Sequence, residues 1–150
     1  MDTRPEAAEW LIRAKGSLGI ARIGKINPEI LYEDLCFHCQ QAAEKAFKAL
    51  LKLNNIEFRK EHSLENLIIK LEINNIIIPE KIKAAAISQY PYGGLTLPLK
   101  IPMRIGSTLS LSENAVDTRY PGEYQPLDEK GYRNALEKAE IIVLWVEQQI

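Results

Sequence analysis

The sequence predicts an all-α protein, an up-and-down bundle of four to five helices, and three observations carry that expectation. Apolar residues recur at three- and four-residue steps through three long stretches and two short ones. Recognisable helix-start residues stand in front of these stretches. A single segment near residues 91–112 breaks the pattern and reads as an irregular or hairpin-like insertion.

The elements follow in order. Thr3-Arg-Pro-Glu6 has the form of a capping box with proline in the first turn, and Ala7, Leu11, Ala14, Leu18 and Ala21 continue at helical spacing to an end near Gly24. Asn27 offers the next cap, with Pro28 behind it. Leu31, Leu35, Cys39, Ala42, Ala46, Ala49 and Leu53 then form one stripe, and Tyr32, Cys36, Ala43, Phe47 and Leu50 a second. A helix apolar over so wide an arc needs cover on more than one side, from neighbours or from another subunit.

Ser63 can cap a third helix carrying Leu64, Leu67, Ile68 and Leu71, and Pro79 can start a fourth with Ile82, Ala85, Ala86 and Tyr90. Gly93, Gly94, Pro98 and Pro102 punctuate the segment that follows, which suits extended chain and is too long for an ordinary connection. Asp128 caps the last helix, whose stripe is Tyr132, Ala135, Leu136, Ala139, Ile142, Val143 and Val146.

A chain of 150 residues is expected to form a single domain, 1–150, large enough for one core. Apolar residues make up 46% and charged residues 26%, near the globular average, which argues against disorder. The net charge of −1 supplies no general attraction to nucleic acid or anionic lipid, so any contact with RNA would be local. No apolar run approaches the roughly 20 residues of a membrane helix, and the first residues lack a signal-peptide core. The expectation is a cytoplasmic protein with no membrane partner.

Cys36 and Cys39 bracket Phe37-His38 inside a helical pattern. Neither a thioredoxin-like context nor a full zinc ligand set accompanies them, so they are expected to pack as small apolar side chains, with no metal and no cofactor. His38, inside the apolar helix, is expected to be a hydrogen-bonded core imidazole. His62, beside a cap, is expected to serve local structure or face solvent.

Three blocks carry a resemblance. Phe37-His38-Cys39-Gln40-Gln41-Ala42-Ala43-Glu44-Lys45 is similar to the second helix of HEPN domains, His62-Ser63-Leu64 resembles the start of their third, and Ala115 to Gly122, with Thr-Arg-Tyr-Pro-Gly at its end, looks like their final loop. The resemblance spans nearly the whole chain apart from about 91–112. It implies a small helical domain that homodimerises and is often encoded beside a minimal nucleotidyltransferase in toxin–antitoxin pairs. In catalytic relatives an Arg and a His, with four to six residues between them, meet in a cleft between subunits and cleave RNA.

Here the pattern departs from the family. None of Arg4, Arg13, Arg22, Arg59, Arg104, Arg119 and Arg133 has a His at that spacing. Arg119 matches the family's arginine, and Tyr124 stands where its histidine would be. A phenol with a reference pKa near 10 is a poor base at neutral pH, although it can donate a hydrogen bond. The catalytic residues are thus unassigned. Arg119, Tyr120 and Tyr124 are the candidate phosphate- or RNA-binding residues, against the plainer reading that Arg119 anchors its turn to a carboxylate such as Glu44 and the tyrosines pack across the bundle end. The leading expectation is a homodimeric module that binds a nucleotidyltransferase and a nucleotide or RNA phosphate. The alternatives are a metal-independent ribonuclease with a degenerate Arg-x4-Tyr motif, or a borrowed His38, and a non-catalytic scaffold.

Overall fold

The computed structural model describes residues 2–87 and 127–150. Over these residues the protein is all-helical: α1 (Arg4–Ile23), α2 (Tyr32–Leu53), α3 (Leu64–Ile73), α4 (Glu80–Ile87) and α5 (Glu129–Gln149). The expected insertion at 91–112 lies outside the described residues.

The axis of the bundle is α2, which carries the most buried residues and packs against α1, α3 and α5. Its two apolar stripes are covered within one chain. Ala42, Ala43, Ala46 and Ala49 are small enough to let neighbouring helices approach, while Leu35, Phe47, Leu50 and Leu51 fill the space between them. The Thr3 hydroxyl donates to the Leu53 carbonyl (2.8 Å), so the start of α1 meets the end of α2 and the two run antiparallel. Tyr32 stacks on Tyr132 at 5.6 Å and Leu127 N–H donates to Glu33 (3.2 Å), so α2 and α5 start together and run the same way.

Three start signals act as the sequence suggests. Ser63 Oγ accepts from Asn66 N–H (3.2 Å), Asp128 Oδ1 accepts from Gly131 N–H (2.8 Å), and Pro79 leads directly into α4, its carbonyl accepting from Ile82 and Lys83. Two do not. Thr3 directs its hydroxyl to Leu53 rather than to its own helix, and Asp2 Oδ1 accepts from Arg4 N–H at the start of α1 instead (3.1 Å). Asn27 caps no helix: its Oδ1 accepts from Glu29 N–H (2.8 Å) and its carbonyl from Ile30 N–H (3.0 Å), which closes a turn and delays α2 to Tyr32. There Asp34 accepts from Leu31 N–H (3.2 Å) and serves the helix start instead. Gly24 ends α1 with φ +73°, a conformation open to glycine.

Among the described residues, no helix is long and apolar enough to cross a membrane.

Candidate functional site

The polar feature that the sequence does not announce lies midway along α2. Glu44 and Lys48 are one turn apart on the stripe that faces α1, where a helix of this bundle would ordinarily carry alanine or leucine. Their side chains are only 4% and 7% exposed, and Lys48 Nζ donates to Glu44 Oε2 at 2.8 Å. The same oxygen receives His62 Nδ1 at 2.8 Å, although the imidazole is 71% exposed. Gln41 Nε2 donates to Oε1 (3.3 Å). Glu44 is therefore fully partnered, as a buried carboxylate must be.

This contact fixes the chemistry of His62. A carboxylate oxygen that already accepts from a lysine ammonium is an acceptor, so the imidazole nitrogen that meets it is the donor. In the neutral ring the proton sits on Nδ1, leaving the Nε2 lone pair directed away from Glu44, on an imidazole that is mostly in solvent. A buried carboxylate behind an exposed imidazole is the arrangement that orients a base or an anion ligand.

Lys48 also joins this cluster to a cleft. Its ammonium lies 5.5 Å from the centre of the Trp10 ring and 5.6 Å from that of Phe58, and the two rings meet edge to face at 5.6 Å. Trp10 and Phe58 wall a cleft of about 330 Å³ whose rim carries Glu6, Arg13, Lys52, Glu57 and Arg59. Glu6 pairs with Lys52 (3.7 Å) and Glu9 with Arg13 (3.0 Å), whereas no ion pair occupies Arg59 among the described residues.

The other candidates fall elsewhere. Arg119, Tyr120 and Tyr124 lie outside the described residues. His38 is half-buried on α2 with its ring edge-on to the exposed Phe37 (5.5 Å), rather than the core imidazole expected, because its position turns to the rim of the α2 stripe. Cys36 and Cys39 are free and buried. Burial pushes both thiols up to about 12, so each behaves as a small neutral side chain. Beside them the Tyr132 hydroxyl donates to the Ala21 carbonyl (2.6 Å), and burial raises its phenol as well.

Sequence reasoning missed the Glu44–Lys48–His62 cluster. The signal available to it was the i,i+4 acid–base pair falling between apolar positions 43, 46, 47 and 50. Nothing in the sequence brings His62, eighteen positions further on, to Glu44.

The fold and this cluster define a small helical module with a buried ionic centre on its second helix. The chain belongs to the HEPN domain family, whose family model matches residues 7–149. No curated protein and no solved structure matches it.

Proposed function

We propose that this HEPN-family chain works by association: a homodimer that engages a minimal nucleotidyltransferase, as in toxin–antitoxin pairs, and holds a nucleotide or RNA phosphate through Arg119, with Tyr120 and Tyr124 beside it. The observation that supports self-association is the outer face of α1.

At about 100° per residue, Ala8, Ile12, Gly16, Gly19 and Ile23 fall within one arc of that helix. All are exposed, Ile12 at 68% and Ile23 at 47%. Ion pairs Lys15–Glu147 and Arg22–Glu140 to α5 border the arc on one side and Glu9–Arg13 on the other, giving an apolar centre with a charged rim. Beyond the helix's own neighbouring backbone, no atom of the described residues lies within 4 Å of where a Cβ would stand on Gly16 or Gly19. A glycine inside a helix costs about 0.5–1 kcal/mol relative to alanine, a cost that a closely approaching second backbone offsets. The wide apolar arc of α2, which the sequence offered as the reason for a dimer, is consumed by α1, α3 and α5. Among the described residues, α1 keeps an exposed apolar arc.

Light scattering at micromolar concentration tests the first half, with Gly16→Arg and Ile12→Glu as variants whose exposed positions leave the fold intact. A dimeric parent and monomeric variants are expected. A monomeric parent defeats the reading, and dimeric variants remove α1 from the interface. For the second half, a short RNA is titrated against parent and Arg119→Ala at two salt concentrations. With about one arginine per subunit the salt dependence should be shallow. Equal affinity removes Arg119 from the site, and robust cleavage by the parent replaces binding with ribonuclease activity.

A further inference from the structure

We propose that His62 is a phosphoryl-acceptor site: Nε2 takes a phosphoryl group from a donor of the phosphoramidate class, Arg59 holds the phosphoryl oxygens, and Glu44 keeps the Nδ1 proton and so sets which nitrogen reacts. It uses none of the residues of the Arg119 loop.

The imidazole is fixed from both ends. Its main chain is tied by Glu61, whose Oε1 accepts from the His62 and Ser63 N–H groups (3.1 and 3.2 Å) and from Asn66 Nδ2 (3.5 Å), while Ser63 goes on to cap α3. Its ring is tied by Glu44 at 2.8 Å, on the oxygen that also accepts from Lys48. Turning the ring away would deprive Glu44 of a donor where water hardly reaches, since that side chain is 4% exposed. Nδ1 therefore keeps its proton, and Nε2 directs its lone pair into solvent. A surface histidine that only closed its loop would be served by a backbone carbonyl. Here the partner is a carboxylate whose burial must itself be offset by an ammonium and an amide.

That arrangement suits a nucleophile that gains positive charge as it reacts, because a fixed carboxylate already stands where the charge develops. The Nε2 lone pair forms a new N–P bond as the donor's own P–N bond breaks. The electron pair of the broken bond leaves with the donor nitrogen, which is protonated beforehand and departs as a neutral amine. The ring becomes an imidazolium with its Nδ1 proton still on Glu44. One N–P bond replaces another of the same kind, so no further reactant enters the balance.

The donor's oxygens call for a cation, and two stand immediately before His62. Arg59 and Lys60 are exposed, and among the described residues no ion pair engages either. Glu61 N–H donates to the Phe58 carbonyl (2.9 Å), closing a tight turn in which Lys60 adopts φ +49° and which carries this stretch round to His62. A guanidinium grips phosphoryl oxygens two at a time, which makes Arg59 the better holder of the pair. Glu61, the carboxylate next to His62 in sequence, is already occupied by three N–H donors.

The test is phosphorus-31 NMR of the full chain incubated with potassium phosphoramidate at neutral pH. One acid-labile, alkali-stable phosphohistidine is expected, on Nε2 of His62, with His38, the other of the two histidines, unlabelled at the same time. His62 should react about tenfold faster in the folded chain than in the same chain unfolded in urea, about 1.4 kcal/mol in the barrier. His62→Gln, which keeps a donor for Glu44, should fold and give no phosphohistidine. The double variant Glu44→Leu/Lys48→Met removes the acceptor without stranding the ammonium; its His62 should react at the rate of the unfolded chain and carry label on both ring nitrogens. Arg59→Ala, at an exposed position, should slow labelling several-fold. The proposal is overturned by a folded rate no higher than the unfolded one, by equal labelling of His38, or by reaction at Nδ1. A double variant or an Arg59→Ala chain that reacts like the parent overturns it as well.

Discussion

Replacing Glu44 by leucine isolates the energetics of the buried cluster. The substitution removes the only carboxylate on Lys48 among the described residues; the lysine side chain is 7% exposed, and its ammonium is left against the Trp10 and Phe58 rings. Removing one partner of a buried ion pair costs about 3–5 kcal/mol, because the remaining charge stays desolvated. The two rings retain part of the stabilisation, of order 0.5–2 kcal/mol, which places the expected loss near the lower end, about 3 kcal/mol. For a chain of this length that corresponds to a fall in Tm of roughly 6–12 °C. The double variant Glu44→Leu/Lys48→Met should recover most of the loss, since an apolar pair of similar volume is often as stable as the ions it replaces. His62→Ala removes a contact whose histidine side is mostly in water and should cost no more than about 1 kcal/mol. Urea denaturation with an unchanged m-value measures all three. If Glu44→Leu lay within about 0.5 kcal/mol of the parent, the picture of a desolvated lysine would be refuted. A double variant as unstable as the single one would show that the cost lies in lost packing rather than in the stranded charge.

Ala46 is fully buried on α2, and Ala46→Glu should unfold the protein or lower its midpoint severely through an unpaired buried charge; a parental melting curve would contradict the packing described. Gly16→Ala and Gly19→Ala should each stabilise the monomer by about 0.5–1 kcal/mol, since a methyl meets nothing there, while weakening self-association measured by dilution. Cys36 and Cys39 should resist a thiol reagent at pH 8 until denaturant is added. Their raised native pKa also makes stability fall with rising pH: above 9 the unfolded thiols ionise while the native ones stay protonated up to about 12, at up to about 1.4 kcal/mol per thiol for each pH unit. An alkaline denaturation series reads this slope, and labelling of the native protein at pH 8 would refute it.

The sequence by itself determined the helices, because their signals are local. The stripes of α2 and α5, the caps at Ser63 and Asp128 and the proline before α4 depend only on neighbours within a few positions, and they act in the structure as read, save that Leu31, the first residue of the α2 stripe, lies outside the helix and is 53% exposed. The family, too, was legible in the three short blocks at 37–45, 62–64 and 115–122. The signals that failed were those with a competitor at long range or an alternative local use. Thr3 looks like a cap, but the carbonyl of Leu53, fifty positions away, takes its hydroxyl. Asn27 looks like another, but an asparagine before proline closes a turn as readily as it starts a helix.

Only the tertiary structure decided which polar groups meet. His62 reaches Glu44 because α3 starts beside the middle of α2, and Trp10 reaches Phe58 because α1 runs back along α2. Once the bundle closes, Glu44 and Lys48 lose water, and that desolvation turns an ordinary acid–base pair one turn apart into the fixed centre on which His62 is oriented.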